Sequence, residues 1–173
     1  TKVTCTSSQT VKGEIEGPRK VVKVVVLYKG CESSGFKCNT AGKGAGEIET
    51  NESSVETIYL VSAAKGHTKA GILFKENATS KEFAKFECTA FVKITVKGEV
   101  IGEATPLNKE QATGELTFAQ EKGVQQWRAI EEKAENKHLE ALGEESGIGG
   151  GSKLANPLNE EVTFKESVEL HKV

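Results

Sequence analysis

The sequence predicts an all-β protein, an antiparallel sandwich or barrel of short strands. The first observation is the alternation of apolar and polar residues along Phe83–Gly102, which is typical of half-buried strands. The second is the β-branched segment Lys20–Tyr28, which is apolar on both faces as in a central strand. The third is that strand-like segments recur roughly every ten residues with turn residues between them, the spacing of sandwiches and barrels.

The remaining elements follow from the same two signals, alternation for strands and Gly or Pro for turns. Gly17-Pro18 marks a turn, and the Gly-rich segments Gly30–Gly46 and Gly143–Ser152 predict loops. The loop Ala104–Ala112, which contains Pro106, is a weak sub-boundary in what we otherwise expect to be a single domain of residues 1–173. Besides the two segments above, the predicted strands are Lys2–Ser8, Val11–Glu16, Glu47–Thr50, Ser54–Ser62, Ala70–Lys75, Gly114–Gln120, Val162–Phe164 and Val168–Val173.

The stretch 127–142 allows two interpretations. Its second part is made of good helix formers, and Trp127, Ile130, Ala134 and His138 could share one helical face. The other interpretation is a strand at Gln126–Glu131, a charged loop and a second strand. We favour the strands, because a helix would be an exception in a strand-rich chain, and keep one short helix within 127–142 as the alternative.

Four cysteines, Cys5, Cys31, Cys38 and Cys88, predict disulfide bonds formed in an oxidising compartment. The chain has no Met, which predicts removal of an N-terminal signal peptide. Of the three pairings, we expect Cys31–Cys38, which closes a short loop, and Cys5–Cys88, which ties the first strand to Phe83–Gly102. Zinc is the alternative, and the absence of a C-x2-C pair argues against it.

Three segments carry a resemblance to a group of known proteins. They are Val-Thr-Cys at Val3, VVVLYKGC at Val24–Cys31, and FECTAFVKITVKGEVIG at Phe86–Gly102, which is followed by Pro106-Leu107-Asn108. Together they resemble secreted, uncharacterised proteins of actinobacteria, from Val3 to about Phe118. The resemblance implies secretion and a β fold, and it implies no particular chemistry.

Composition argues against several classes of partner and reaction. A net charge of −2 provides no basic surface for nucleic acid, and no apolar run approaches the roughly 20 residues of a membrane span. The chain has no Asp, which excludes a Ser-His-Asp triad. The histidines His67, His138 and His171 lack the spacing of metal ligands within one element. We therefore expect no catalytic residues, no metal, no cofactor and no enzymatic activity.

Two functions remain. The first is a secreted structural or adhesive protein at the cell surface, a subunit of an assembly or filament that associates with its own copies by strand pairing. The terminal strands would make these contacts, through Val3 and Cys5 at one end and Val168 and Leu170 at the other. The alternative is an extracellular carbohydrate-binding module with Trp127, Gln126 and Arg128 as its platform.

Overall fold

The computed structural model is all-β and antiparallel, and it has no helix among the residues that it describes. These are residues 3–62, 68–89, 92–118, 120–121, 124–125, 127–129, 139–145, 148–153 and 158–169. Beyond Phe118 the description is confined to the backbone. The predicted fold class is confirmed.

Seventeen strands lie in the described part of the chain, and most are short. They are β1 (Ser7–Gly17), β2 (Lys20–Lys29), β3 (Glu32–Ser33), β4 (Phe36–Lys37), β5 (Ile48–Glu49), β6 (Ser53–Ser62), β7 (Thr68–Lys75), β8 (Ala84–Thr89), β9 (Val92–Gly98), β10 (Val100–Thr105), β11 (Glu110–Phe118), β12 (Gln120–Glu121), β13 (Val124–Gln125), β14 (Trp127–Ala129), β15 (Leu139–Glu145), β16 (Ile148–Lys153) and β17 (Leu158–Glu169).

The chain forms two compact units, and each is assembled from three separate segments. The first unit consists of Thr1–Val55, Lys75–Glu99 and Leu139–Ser152. Within it, β2 pairs with β1 on one side and with β5 on the other. Strands β16, β15, β9 and β8 form a four-stranded sheet in that order, and β3 and β4 form a short hairpin.

The core of the first unit is built from residues of β2, β5, β8 and β9, together with Cys31, Cys38 and Phe83. Two buried hydroxyls complete the backbone hydrogen bonding of β2. Thr50 Oγ1 accepts a bond from the Val26 N–H at 2.9 Å, and Ser53 Oγ donates to the Val24 carbonyl at 3.1 Å. The buried apolar residues are Val24, Val25, Cys31, Cys38, Ile48, Phe83, Ala84, Phe86, Cys88, Ile94 and Val96.

The second unit consists of Glu56–Phe74, Val100–His138 and Lys153–Val173. Its strands follow the order β6-β7-β10-β11-β17, and β14 also pairs with β6. Residues 104–112 lie inside this unit and contain the end of β10 and the start of β11. Its core is the cluster of Ile58, Leu60, Leu73 and Ile101.

The structure divides the predicted long strand Phe83–Gly102 into β8, β9 and the start of β10. Strands β8 and β9 are antiparallel partners, with Phe86 opposite Ile94 and Thr89 opposite Val92. Opposite residues point to the same face, so Phe86, Cys88, Ile94 and Val96 are all buried as the alternation predicts. The intervening sequence contains no Gly, Pro or Asn, so nothing in it indicates two strands.

The predicted loop at Gly143–Ser152 is wrong for most of its length. Strand β15 continues to Glu145, with Gly143 opposite Ile94 of β9, and β16 begins at Ile148. Ladder hydrogen bonds need only the backbone, so a neighbouring strand can hold a glycine-rich segment that its own residues disfavour. Around the 127–142 stretch, β14 and β15 are strands, as in the favoured interpretation; residues 130–138 lie outside the described part.

All four cysteines form disulfides, but the predicted pairing is wrong. The bonds are Cys5–Cys31 and Cys38–Cys88, and all four sulfur atoms are therefore unavailable to zinc. Cys31 and Cys38 flank the β3–β4 hairpin and meet through their backbones, with the Cys38 N–H donating to the Cys31 carbonyl at 3.0 Å.

The register of the strands explains this pairing. Thr4 and Glu32 exchange two backbone hydrogen bonds, as do Asn39 and Glu87. The next opposite pairs, Cys5 with Cys31 and Cys38 with Cys88, are therefore non-hydrogen-bonded pairs, in which the Cα atoms approach more closely. Cys31 and Cys38 instead share a backbone hydrogen bond, which holds their Cα atoms further apart. The disulfides thus join the closer pairs.

Candidate functional site

Strand β1 is a long, exposed edge strand of the first unit. Its only strand partner among the described residues is β2. Every side chain from Ser7 to Glu16 is exposed, including two apolar ones, Val11 at 46% and Ile15 at 85%. An exposed strand of this length with one partner offers unpaired backbone groups to another chain.

Hydrogen bonds of β2 show which groups of β1 face outward. The Val26 N–H donates to Thr50 Oγ1, and the Val26 carbonyl accepts from the Thr50 N–H. Both groups of Val26 therefore point to the β5 side of β2. Thr10 lies opposite Val26, so this is a non-hydrogen-bonded pair, and the N–H and carbonyl of Thr10 point away from β2. Ser8, two residues earlier in the same register, points the same way. We call the backbone groups of Ser8 and Thr10 the association edge.

The other half of β1 is poorly suited to pairing with a second chain. Its register against β2 shifts three times between Thr10 and Gly17, which bends and twists the strand. It also carries charged side chains: Lys12 pairs with Glu52, and Glu14 with Lys23. Bulges and charges are devices by which edge strands avoid aggregation. Regular, uncharged pairing geometry is therefore confined to Ser7–Thr10.

The Glu14–Lys23 pair has a definite electrostatic character. Lys23 Nζ donates to Glu14 Oε2 at 2.8 Å. This hydrogen bond lowers the pKa of the Glu14 carboxyl and raises the pKa of the Lys23 ammonium. Lys23 lies at an irregularity in β2 with a φ of 53°, so its side chain leaves the regular alternation of the strand. Both groups are therefore charged at neutral pH, Glu14 in the Val11–Gly17 half of β1 and Lys23 in β2.

The structure locates three of the four residues predicted to mediate subunit contacts. Val3 and Cys5 flank Thr4, which pairs with Glu32 of the same chain. Val168 lies in β17 opposite Gln111, and Leu170 lies outside the described residues. Strand β17 has one partner, β11, in the described part of the chain. The predicted pairing of these strands between protomers stays a prediction.

A shallow concavity of about 400 Å³ lies in the first unit, lined by polar residues. Its polar groups already bond to the protein's own backbone. Asn77 Nδ2 donates to the Glu52 carbonyl at 2.7 Å, and Asn77 Oδ1 accepts from the N–H groups of Thr79 and Ser80. Asn51 Nδ2 donates to the Glu82 carbonyl at 3.2 Å. These bonds give the concavity a structural role in fixing the 76–83 loop.

The predicted carbohydrate platform is described only in part. Trp127 and Arg128 lie in β14, opposite Ser62 and Val61 of β6, and Gln126 lies outside the described residues. No observation on their side chains bears on sugar binding, which stays a prediction. His67, His138 and His171 also lie outside the described part of the chain.

Within the described ranges, no three side chains of the types that bind metals lie close enough together to share an ion. No helix there is long and apolar enough to cross a membrane.

Comparison with known proteins adds no relative. No protein-family model matches the sequence, and no curated protein or solved structure is significantly similar to it.

Sequence reasoning placed the contact between protomers on the strand Lys2–Ser8, which contains Ser8, but it identified neither Thr10 nor the backbone groups that face outward. Ser8 and Thr10 are small polar residues in a polar segment and carry no signal in the sequence. Their orientation follows only from the hydrogen bonds between Val26 and Thr50, and Thr50 is 40 positions after Thr10. In the sequence, Thr50 is only the last residue of the predicted strand Glu47–Thr50.

Proposed function

We propose that this protein is a secreted structural subunit that associates with further copies of itself by β-strand pairing at the cell surface. The observation that carries the proposal is the association edge at Ser8 and Thr10. It presents outward N–H and carbonyl groups on a regular, uncharged strand segment. Main-chain pairing of this kind supplies affinity without a preformed pocket.

The disulfides support the extracellular location in this proposal. Two disulfides in one unit are typical of proteins that mature in an oxidising compartment. The irregular, charged half of β1 from Val11 to Gly17 supports a specific register for this pairing. A second strand could align only with Ser7–Thr10, because the bulges and charges that follow oppose longer pairing. The proposal assigns no catalytic step and no cofactor.

Substitution of Thr10 by proline tests the proposal. Proline removes the outward N–H of the association edge, and edge strands tolerate it where the N–H faces solvent. Thr10→Ala is the matched control, because it shortens the same side chain and keeps the N–H. Sedimentation velocity over a range of protein concentrations, with electron microscopy, measures the assembly state.

We expect wild type and Thr10→Ala to form oligomers or filaments, and Thr10→Pro to be shifted towards the monomer by at least about tenfold in the association constant. Circular dichroism and the urea midpoint of Thr10→Pro should match those of wild type, because the ladder between β1 and β2 does not use this N–H. A wild type that is monomeric at all concentrations, or a Thr10→Pro variant that assembles normally, would overturn the proposal.

A further inference from the structure

Packing contributes little to holding β1 in place. Its side chains from Ser7 to Glu16 are exposed, so the strand buries almost no apolar surface. Its ladder with β2 is interrupted by register shifts. Its ion pairs, Lys12–Glu52 and Glu14–Lys23, are about half exposed and therefore weak. In the described part of the chain, β1 lies at the edge of its sheet, and an edge strand with few buried apolar contacts can open locally at low cost.

Covalent connections to β2 hold the strand at both ends. At one end, the chain turns from Gly17 into β2 at Lys20. At the other, Cys5 is bonded to Cys31, just after β2 ends. Residues 5–31 therefore form a closed ring.

The chain is tightly fitted where the ring closes. The Thr6 N–H donates to the Lys29 carbonyl at 2.9 Å, and the Thr6 hydroxyl donates to the same oxygen at 3.1 Å. Thr6 also packs over Gly30, which has a φ of 65° and no room for a Cβ. The association edge begins three residues after Cys5, so the disulfide acts directly on it.

The two disulfides differ in how solvent reaches them. Cys31 and Cys38 are fully buried and Cys88 is 5% exposed, whereas Cys5 is half-buried. A thiol must approach a sulfur atom to exchange with it, so access decides which bond reacts first. Cys5 is the most exposed of the four cysteines, so we expect a thiol to attack its sulfur first, whereas the Cys38–Cys88 bond is enclosed by the core.

We propose that the Cys5–Cys31 disulfide is a redox switch for the association edge, which rests on the proposed self-association through β1. A thiolate of a dithiol reductant attacks Cys5 Sγ, the S–S bond breaks, and Cys31 leaves as a thiolate that takes up a proton. The second thiolate of the reductant then displaces Cys5, which is also protonated. The protein gains two electrons and two protons, and the reductant leaves as a disulfide.

After reduction, the N-terminal half of β1 separates from β2, while Cys38–Cys88 retains the core. Self-association is then lost because a frayed strand must be ordered again before it can pair. Oxidation restores the ring and the edge.

The Cys5→Ser/Cys31→Ser double variant tests the switch with two readouts. Hydrogen exchange should show the amides of Thr6 and Gln9 exchanging at least about tenfold faster than in wild type. The Asn51 amide, which donates to the Phe83 carbonyl in the core, should be unchanged and serves as the internal control. Sedimentation should show loss of association.

These outcomes separate the switch from the proposed function. A monomeric wild type would overturn the proposed self-association. The hydrogen-exchange rate of the Thr6 amide in the double variant, compared with wild type, would still show whether the disulfide orders the strand. Unchanged protection of Thr6 and Gln9 in the variant would overturn the switch. Thr10→Pro should lose association while keeping Thr6 protected.

Partial reduction of wild type provides a second measurement that does not depend on the variant folding. The folded protein is treated with limiting dithiothreitol, alkylated, and mapped by mass spectrometry. We expect alkylation at Cys5 and Cys31 before Cys38 and Cys88. Equal or reversed order would overturn the proposal.

Discussion

Gly71→Ala should destabilise the protein through a single crowded contact. A Cβ built on Gly71 in β7 would lie 2.5 Å from Cδ1, 2.7 Å from Cγ and 2.8 Å from Cδ2 of Leu60. Leu60 is completely buried in the core of the second unit and has little space to move. Overpacking of this kind costs about 1–3 kcal/mol, and the reduced freedom of the unfolded chain offsets about 0.5–1 kcal/mol.

We therefore expect a net loss of about 1–2 kcal/mol in the free energy of unfolding. With a urea m-value of about 2 kcal/mol/M, the midpoint should fall by about 0.5–1 M. Gly17→Ala is the matched control, because a Cβ there meets nothing within 4 Å, and its midpoint should be unchanged or slightly raised.

A double-mutant cycle with Leu60→Ala identifies the contact. Leu60→Ala alone should cost about 2–5 kcal/mol by opening a cavity. In that background the methyl of Gly71→Ala occupies part of the cavity, so the two substitutions should be non-additive by about 1–2 kcal/mol. Additive effects, or a neutral Gly71→Ala, would refute the reasoning.

Three further predictions concern the first unit. Thr50→Val should lower the free energy of unfolding, measured in urea, by about 1–2 kcal/mol because the Val26 N–H loses its acceptor. Thr50→Ser keeps the hydroxyl and should retain most of the stability. Equal losses in the two variants would contradict this. The stabilisation from the Glu14–Lys23 pair should be complete above the ordinary carboxyl pKa and lost as the pH falls through the lowered pKa of Glu14. At low salt, the urea midpoint of Glu14→Gln should therefore depend less on acid pH than that of wild type. An equal dependence in both proteins would contradict this. Phe36→Ser should change the free energy of unfolding by less than about 0.5 kcal/mol, since Phe36 is 58% exposed; a larger loss would contradict this.

Local patterns predicted the strands that their own residues specify. The β-branched segment Lys20–Tyr28 corresponds to β2, the alternation in Ser54–Ser62 corresponds to β6, and Gly17-Pro18 marks the end of β1. In these segments, side-chain chemistry and backbone preference agree, so a short window contains the necessary information.

Features set by distant partners could not be predicted in the same way. The disulfides follow the register of Thr4 against Glu32 and of Asn39 against Glu87, which no spacing of cysteines encodes. The association edge depends equally on a contact between strands far apart in sequence. The alternation of apolar and polar residues also cannot reveal the break between β8 and β9. Residues that are opposite each other in the two strands lie on the same face of the sheet, so the alternation continues through the break.

The order of the disulfides also determines how the chain would transmit mechanical tension. Tension entering before Cys5 crosses to Cys31, passes through the β3–β4 hairpin to Cys38, and crosses again to Cys88. The two bonds bypass 26 and 50 residue steps, so of the backbone between Cys5 and Cys88 only the seven steps from Cys31 to Cys38 can lengthen. Fully extended, these seven steps span at most about 25 Å. Stretching the oxidised chain would therefore leave residues 6–30 and 39–87 relaxed, and this part of the protein would behave as a nearly inextensible link.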